Sequence, residues 1–219
     1  LRGCDDRRDM FVFRKLHFVV AAMVAVLLIV GSFPSQASSL RAVIDSDLDR
    51  DGRIERIDLD SEREMTLRIM RGGEAVWSGV PGKWKPWKLQ IADVDGDGKL
   101  EITIAVFKST KFFPKPHNCL FIYGWSGDEV FPKWLGSSLG RPFTDFLFAD
   151  LDDGPGNELL AIETARDGRK GAAIYRWDSF GFTLVRRKGE WANAAILDAG
   201  KGRISILADG GTVVLPFDQ

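Results

Sequence analysis

Asp93-Val94-Asp95-Gly96-Asp97-Gly98-Lys99-Leu100-Glu101 sets three carboxylates at alternate positions, two glycines among them, and a further acid eight residues after the first. The run Ile102-Thr103-Ile104-Ala105-Val106 follows at once, rich in β-branched residues, and Trp87 to Ala92 in front of it is strand-like as well. The local unit is therefore an acidic, glycine-bent turn between two strands, and it recurs. Asp47-Leu48-Asp49-Arg50-Asp51-Gly52-Arg53-Ile54-Glu55 leads into Arg56 to Leu59, and Asp150-Leu151-Asp152-Asp153-Gly154-Pro155-Gly156-Asn157-Glu158 leads into Leu159 to Ile162. A worn copy, Asp198-Ala199-Gly200-Lys201-Gly202-Arg203, leads into Ile204 to Leu207. The copies start 46, 57 and 48 residues apart, the span of one four-stranded propeller blade.

Each turn is preceded by a strand-like stretch: Leu40 to Ile44, Trp87 to Ala92, Thr144 to Ala149 and Ala192 to Leu197. Further strands are expected at Met65 to Met70, Ala75 to Trp77, Cys119 to Trp125, Glu129 to Trp134, Ala172 to Trp177 and Phe182 to Arg187. Gly72-Gly73, Ser126 to Asp128 and Asp178 to Gly181 punctuate them as hairpin turns. After the last copy there is room for two strands, Arg203 to Ala208 and Thr212 to Phe217. The expected fold is all-β, a repeat array of about four propeller-type blades over residues 38–219. Whether they make a small ring, an open arc, or part of a ring completed by a second chain is left open by the spacing.

The chemistry of the turn follows from its spacing. When such a loop curls, the side chains at positions one, three and five converge, the glycine permits the bend, the carbonyl at position seven points inward and the acid at position nine closes the cage. Hard oxygen donors in that number suit Ca2+. The first set is Asp47, Asp49, Asp51, the Arg53 carbonyl and Glu55; the second is Asp93, Asp95, Asp97, the Lys99 carbonyl and Glu101. The third keeps Asp150, Asp152 and Glu158 but has Gly154 at position five, with Asp153 and Asn157 as neighbouring donors. The fourth keeps Asp198 alone and reads as a plain turn. An EF-hand shares the first half of the pattern but requires an acid at position twelve and flanking helices. Asp58 fills that position in the first copy, whereas Ile104 fills it in the second, amid a strand pattern.

Asp93 to Ile102, preceded by Ile91-Ala92, resembles the calcium turn of FG-GAP repeats, also called VCBS repeats, which build the propeller of integrin alpha subunits and occur in many bacterial secreted proteins. As an architecture the resemblance extends over Leu40 to Phe217, although the Phe-Gly and Gly-Ala-Pro pair of the family is missing and Gly79-Val80-Pro81 is at best a remnant. The resemblance implies a structural Ca2+ that rigidifies each blade without touching a substrate.

The N-terminal part reads as a targeting segment. Arg14 and Lys15 form a basic start, Phe18 to Val30 is an uncharged apolar run, and Ser35-Gln36-Ala37 offers small residues for cleavage after Ala37. Residues 1–37 are thus expected to be a signal peptide, with 1–9, ahead of Met10, reading as a gene-start artefact. The run is short of the 20 or so residues of a bilayer-spanning helix, so membrane attachment is expected only through an uncleaved leader. Cleavage would remove Cys4 and leave Cys119 as the single cysteine, with no internal disulfide; bound metal is then one of the few staples open to a secreted domain.

Composition narrows the functional classes. The 219 residues are 45% hydrophobic, with 30 Lys and Arg against 31 Asp and Glu, so there is no basic excess to recruit nucleic acid. The two histidines are His17, in the leader, and His117, in the proline-containing loop Lys111 to Asn118, which leaves little for a triad or an imidazole relay. Carboxylate pairs for glycoside chemistry are already spoken for by the turns. Trp84 and Trp87, in Trp84-Lys85-Pro86-Trp87, are candidate stacking residues for a sugar or peptide, and the loop Lys108 to Asn118 is a second candidate contact surface. The expected function is a secreted, calcium-stabilised binding module for an extracytoplasmic protein or glycan, not an enzyme. The alternatives are a carbohydrate-active hydrolase or lyase on a propeller scaffold, and a structural cell-envelope component that self-associates as a homo-oligomer.

Overall fold

The computed structural model describes residues 39–136 and 138–217; the expected leader at 1–37, with Cys4 and His17, lies outside the described residues. From Ser39 onward the chain forms a compact unit of its own. It is all-β, in four antiparallel sheets. Strands β1 (Arg41–Ser46), β2 (Glu55–Asp60), β3 (Met65–Arg71) and β4 (Glu74–Pro81) make the first, and β5 (Pro86–Ala92), β6 (Glu101–Lys108), β7 (His117–Trp125) and β8 (Val130–Gly136) the second. The third holds β9 (Phe143–Ala149), β10 (Glu158–Thr164), β11 (Lys170–Asp178) and β12 (Gly181–Trp191), and the fourth β13 (Ala194–Gly200), β14 (Arg203–Ala208) and β15 (Gly211–Pro216). Within every sheet, neighbours in space are neighbours in sequence, as tight turns between antiparallel strands require.

The period-two alternation of side chains along a strand explains how four sheets share three cores. In β6, Ile102, Ile104 and Val106 face the first sheet, packing with Ile57, Leu59, Leu67 and Ile69, whereas Ala105 faces the third sheet with Phe146, Phe148 and Leu159. In β10 the same split sends Leu159 and Ala161 toward the second sheet and Leu160 and Ile162 toward Ile204 and Ile206 of the fourth. Both strands are consequently buried on both faces, β6 from Glu101 to Val106 and β10 from Glu158 to Glu163. β14, by contrast, alternates: Ile204, Ile206 and Ala208 are buried, while Arg203 and Leu207 are exposed. Among the described residues no core cluster joins the fourth sheet to the first.

Hydrogen bonds tie successive sheets at two levels. The first strands meet through Lys88 and Asp145 (2.6 Å), through Gln90, which donates to the Phe148 carbonyl and accepts from its amide (2.6 and 2.9 Å), and through the Ile196 amide, which donates to Asp145 (3.1 Å). The acidic turns meet as a ladder. The Leu100 amide donates to the Leu48 carbonyl (2.9 Å), that of Asn157 to Asp93 (2.6 Å) and that of Gly202 to Leu151 (3.0 Å). All the turns after first strands therefore gather at one end of the unit, and the turns after second strands lie at the other.

The fourth turn differs from the sequence expectation. β13 begins at Ala194 and runs on to Gly200, so Asp198 lies on a strand paired with Ser205, and the reversal is the two-residue turn Lys201-Gly202, with Gly202 at φ 70°. Without carboxylates to fold over, nothing prevents the ladder from continuing to the tightest turn that a left-handed glycine allows.

Candidate metal centres in the acidic turns

The first two turns share a backbone as well as a spacing. Position four is left-handed in both, Arg50 at φ 61° and Gly96 at φ 76°, and position six is Gly52 or Gly98 at φ 86°. Gly96 is required there twice over, because a Cβ would stand 2.6 Å from the Pro155 Cβ of the next turn. Each loop is wound round its first aspartate: Asp47 accepts from the Gly52 amide (2.9 Å), and Asp93 from the amides of Gly96 (2.7 Å) and Gly98 (3.0 Å). Position two is an apolar plug into a core, filled by Leu48, Val94 and Leu151 in the three turns. Position nine is a buried glutamate that accepts from the amide of position two: Glu55 from Leu48 (3.2 Å), Glu101 from Val94 (2.8 Å), Glu158 from Leu151 (3.1 Å).

Carboxylate oxygens converge in both complete turns. Asp47, Asp49 and Glu55 bring oxygens within 4.8 Å of one another, as do Asp93, Asp95 and Glu101. The fifth-position aspartates are outside these groups; Asp51 accepts from the Arg53 amide (2.8 Å) and Asp97 from the Lys99 amide (2.8 Å), each closing its own loop. One oxygen in each group, Oδ1 of Asp47 and Oδ1 of Asp95, is buried with no hydrogen-bond partner. An orphaned carboxylate oxygen turned inward among two further acids fits a cation, and the all-oxygen donor set fits a hard divalent ion. Residues Asp47, Asp49 and Glu55, and Asp93, Asp95 and Glu101, are those that would hold it.

A feature that the turn sequence does not contain is a basic side chain delivered from elsewhere in the same sheet. Arg71 at the end of β3 donates to Glu55 Oε1 (2.5 Å) and to the Gly127 carbonyl (2.7 Å). Lys133 on β8 bridges Asp95 (2.5 Å) and Glu101 (2.7 Å). Arg176 on β11 bridges Asp152 and Glu158. Burial pushes the Glu101 carboxyl above its ordinary range, against the contrary pull of Lys133 and of the Val94 amide. In the third turn Arg176 and Lys201, the latter 3.7 Å from Asp150 and 2.8 Å from Asp153, supply the countercharge, and Asp150, Asp152 and Glu158 do not converge as a three-acid group. Its backbone differs too: Gly154 is not left-handed and Gly156 is, at φ 78°. Gly154-Pro155-Gly156 replaces Asp97-Gly98-Lys99 of the second turn position for position, and moves the left-handed glycine one residue on. An EF-hand is excluded at the first turn, since β1 and β2 flank it as strands and Asp58 pairs with Arg63 (2.7 Å).

Trp84 and Trp87 do not form one stacking face. Trp84 packs edge-on against Phe121 in the first core, with Lys108 Nζ 4.5 Å from its ring, and Trp87 packs against Phe143 and Phe146 in the second. Trp84 ends the 3-10 turn Gly82–Trp84 while Trp87 lies on β5, which turns the two indoles to different interfaces. His117 and Cys119 approach to 3.5 Å, but the thiol is fully buried and its pKa is raised by that burial, the opposite of an activated nucleophile.

A second polar cluster lies in the third sheet, where sequence reading finds nothing. The fully buried side chain of Glu163 accepts from Arg187 Nε (2.7 Å) and Nη2 (2.5 Å), from the Arg141 amide (3.1 Å) and from the Tyr175 hydroxyl, which in turn accepts from the Gly140 amide (3.0 Å). Tyr175 is pushed up to about 12 by burial and by Glu163; Tyr123 is pushed up to about 12 by burial alone. These are the chain's two tyrosines. A hydroxyl that stays neutral in the fold but ionises near its ordinary value when unfolded contributes stability below about pH 10 that is lost as pH climbs toward 12. Alkaline titration followed by tyrosinate absorbance is expected to show neither residue ionising at pH 10 to 11, then both together as the fold is lost; a normal titration of one or both at pH 10 in native protein would contradict the burial.

No protein-family model matches the chain, and no curated protein matches it either. What fold and site define is a class: an all-β repeat protein in which two turns each gather three carboxylates.

Proposed function

We propose that this protein is a calcium-stabilised, propeller-type binding module that works outside the cytoplasm on a protein or glycan partner, its four sheets serving as blades and Ca2+ as a structural staple. The observation that carries the reading is the pair of turns of like spacing, each with three converging carboxylates and one orphaned, buried aspartate oxygen, on the first aspartate in one and the second in the other. An ion there would satisfy that oxygen and the excess negative charge together, and would lock the turn ladder that joins sheets. The third turn, where Asp150, Asp152 and Glu158 do not converge, is assigned no ion. No step of catalysis is assigned to these acids.

The test is thermal unfolding of the compact unit from Ser39 to Gln219 in Ca2+ and in excess chelator, with bound metal counted by elemental analysis. A ligand at a hundredfold its dissociation constant stabilises by about 2.7 kcal/mol per site, or roughly 5 to 10 °C for a domain of this size. Asp95→Ala is expected to remove one bound ion and about half the shift. No retained calcium and no shift would mean that Lys133 and Arg71 are the permanent countercharges and the turns need no metal.

A further inference from the structure

At the end of the unit opposite the acidic turns, a local cluster of lysines collects that the overall charge conceals. There the 3-10 turn Gly82–Trp84, with Lys85, lies beside the loop that joins β6 to β7, and the Phe107 amide donates to the Lys85 carbonyl (3.2 Å). Neither segment contains a carboxylate: none occurs from Val80 to Ala92 or from Ile102 to Gly127. Lys83, Lys85, Lys111 and Lys115 make no ion pair among the described residues. The Gly82 amide donates to the backbone carbonyl of Glu64 (2.8 Å).

Aromatic side chains stand among these lysines. Phe112 is 78% exposed, Phe113 47% and Phe107 40%. The Thr110 amide donates to the Phe113 carbonyl (2.9 Å) and the Phe113 amide to the Thr110 hydroxyl (3.2 Å), which leaves Lys111 and Phe112 at the apex. Behind the apex, Phe113, Pro114, Pro116 and Pro142 line a shallow hollow of about 400 Å³. Lys115, His117 and Ser138 complete its lining, whose exposed surface is mostly apolar and so offers a sugar chain few hydroxyl partners.

We infer that this end docks on an anionic lipid bilayer, with Phe112 and Phe113 entering the headgroup layer and the surrounding lysines resting on lipid phosphates and carboxylates. Protruding apolar rings within an unneutralised basic rim complement an anionic interface in both polarity and charge. The inference is independent of the calcium reading, since the acidic turns lie at the other end.

Sedimentation of the Ser39 to Gln219 unit with phosphatidylcholine vesicles, with and without about a third phosphatidylserine, tests it; leaving out residues 1–38 removes the expected leader's own partitioning. Chelator is present throughout, so that calcium bridging plays no part. The unit is expected to follow the phosphatidylserine vesicles at low salt, to be released at high salt, and to bind phosphatidylcholine weakly. Each lysine at such a surface is worth about fivefold in binding, so the double variant Lys111→Glu, Lys115→Glu should lose at least about 25-fold, and Phe112→Ser about tenfold. All three positions are exposed, so these variants keep the fold. Equal partition to the two vesicle types, no binding to either, or binding that ignores the variants would overturn the proposal. So would capture by soluble polygalacturonate that is unaffected by Phe112→Ser while vesicles are left unbound, because the lysines would then serve an acidic polysaccharide.

Discussion

Glu163→Leu is expected to destabilise the protein by about 3 to 5 kcal/mol, the largest effect of any single polar substitution. The substitution strands the Arg187 guanidinium, which is 23% exposed, and leaves the Tyr175 hydroxyl and the Arg141 amide short of their shared acceptor. Breaking a buried ion pair from one side costs more than the pair is worth, because the remaining charge stays desolvated. In equilibrium urea unfolding the midpoint should fall with little change in slope, and the melting temperature should drop by roughly 10 °C. Glu163→Leu combined with Arg187→Leu removes the stranded charge and should regain part of the loss. A single variant within about 1 kcal/mol of the parent would mean that the network carries no stability.

Glu101→Ala separates the two roles that the acidic turn combines. In chelator, where no ion can matter, the variant still loses the acceptor for the Val94 amide and one of the two partners of Lys133, and should cost about 2 to 3 kcal/mol. Glu101→Gln keeps an acceptor for Val94 but not the charge. It should cost about 1 kcal/mol in chelator and abolish the calcium response of that turn. Calorimetric unfolding of both variants, with and without calcium, reads the difference; a Glu101→Gln protein that still gains the full calcium shift would remove Glu101 from the ligand set.

The sequence carries a good deal of this architecture because the repeat is written in local terms. The acidic turns, the strand on each side and the hairpin punctuation all depend on residues a few positions apart, and β2, β6, β10 and β14 begin at or next to the positions that the turn spacing gives. Position nine is legible for the same reason, since its amide partner is seven residues away. Arg71, Lys133 and Arg176 are not legible from the turns, because each comes from a strand whose register against the turn is fixed by pairing. Asp145, which joins three sheets through Lys88 and the Ile196 amide, reads as one more strand-edge acid until the sheets are stacked. Trp84 and Trp87 look alike in sequence and part company only when the 3-10 turn holds the first against one core and β5 carries the second into another. The fourth turn reads as a worn acidic copy that keeps Asp198 alone, and with no further carboxylates to fold a loop around, β13 extends through Asp198 to Gly200.

Because every strand pairs with the one before or after it, the chain avoids the slow step that usually limits β proteins, the search of distant segments for one another. The first core needs residues no further along than Val130. A chain emerging end first could seal it before the third sheet exists, and each later sheet then finds a finished apolar face waiting. Condensation hairpin by hairpin in order of emergence keeps the unprotected β surface at any moment to about one sheet, which limits the time over which nascent edges are open to aggregation.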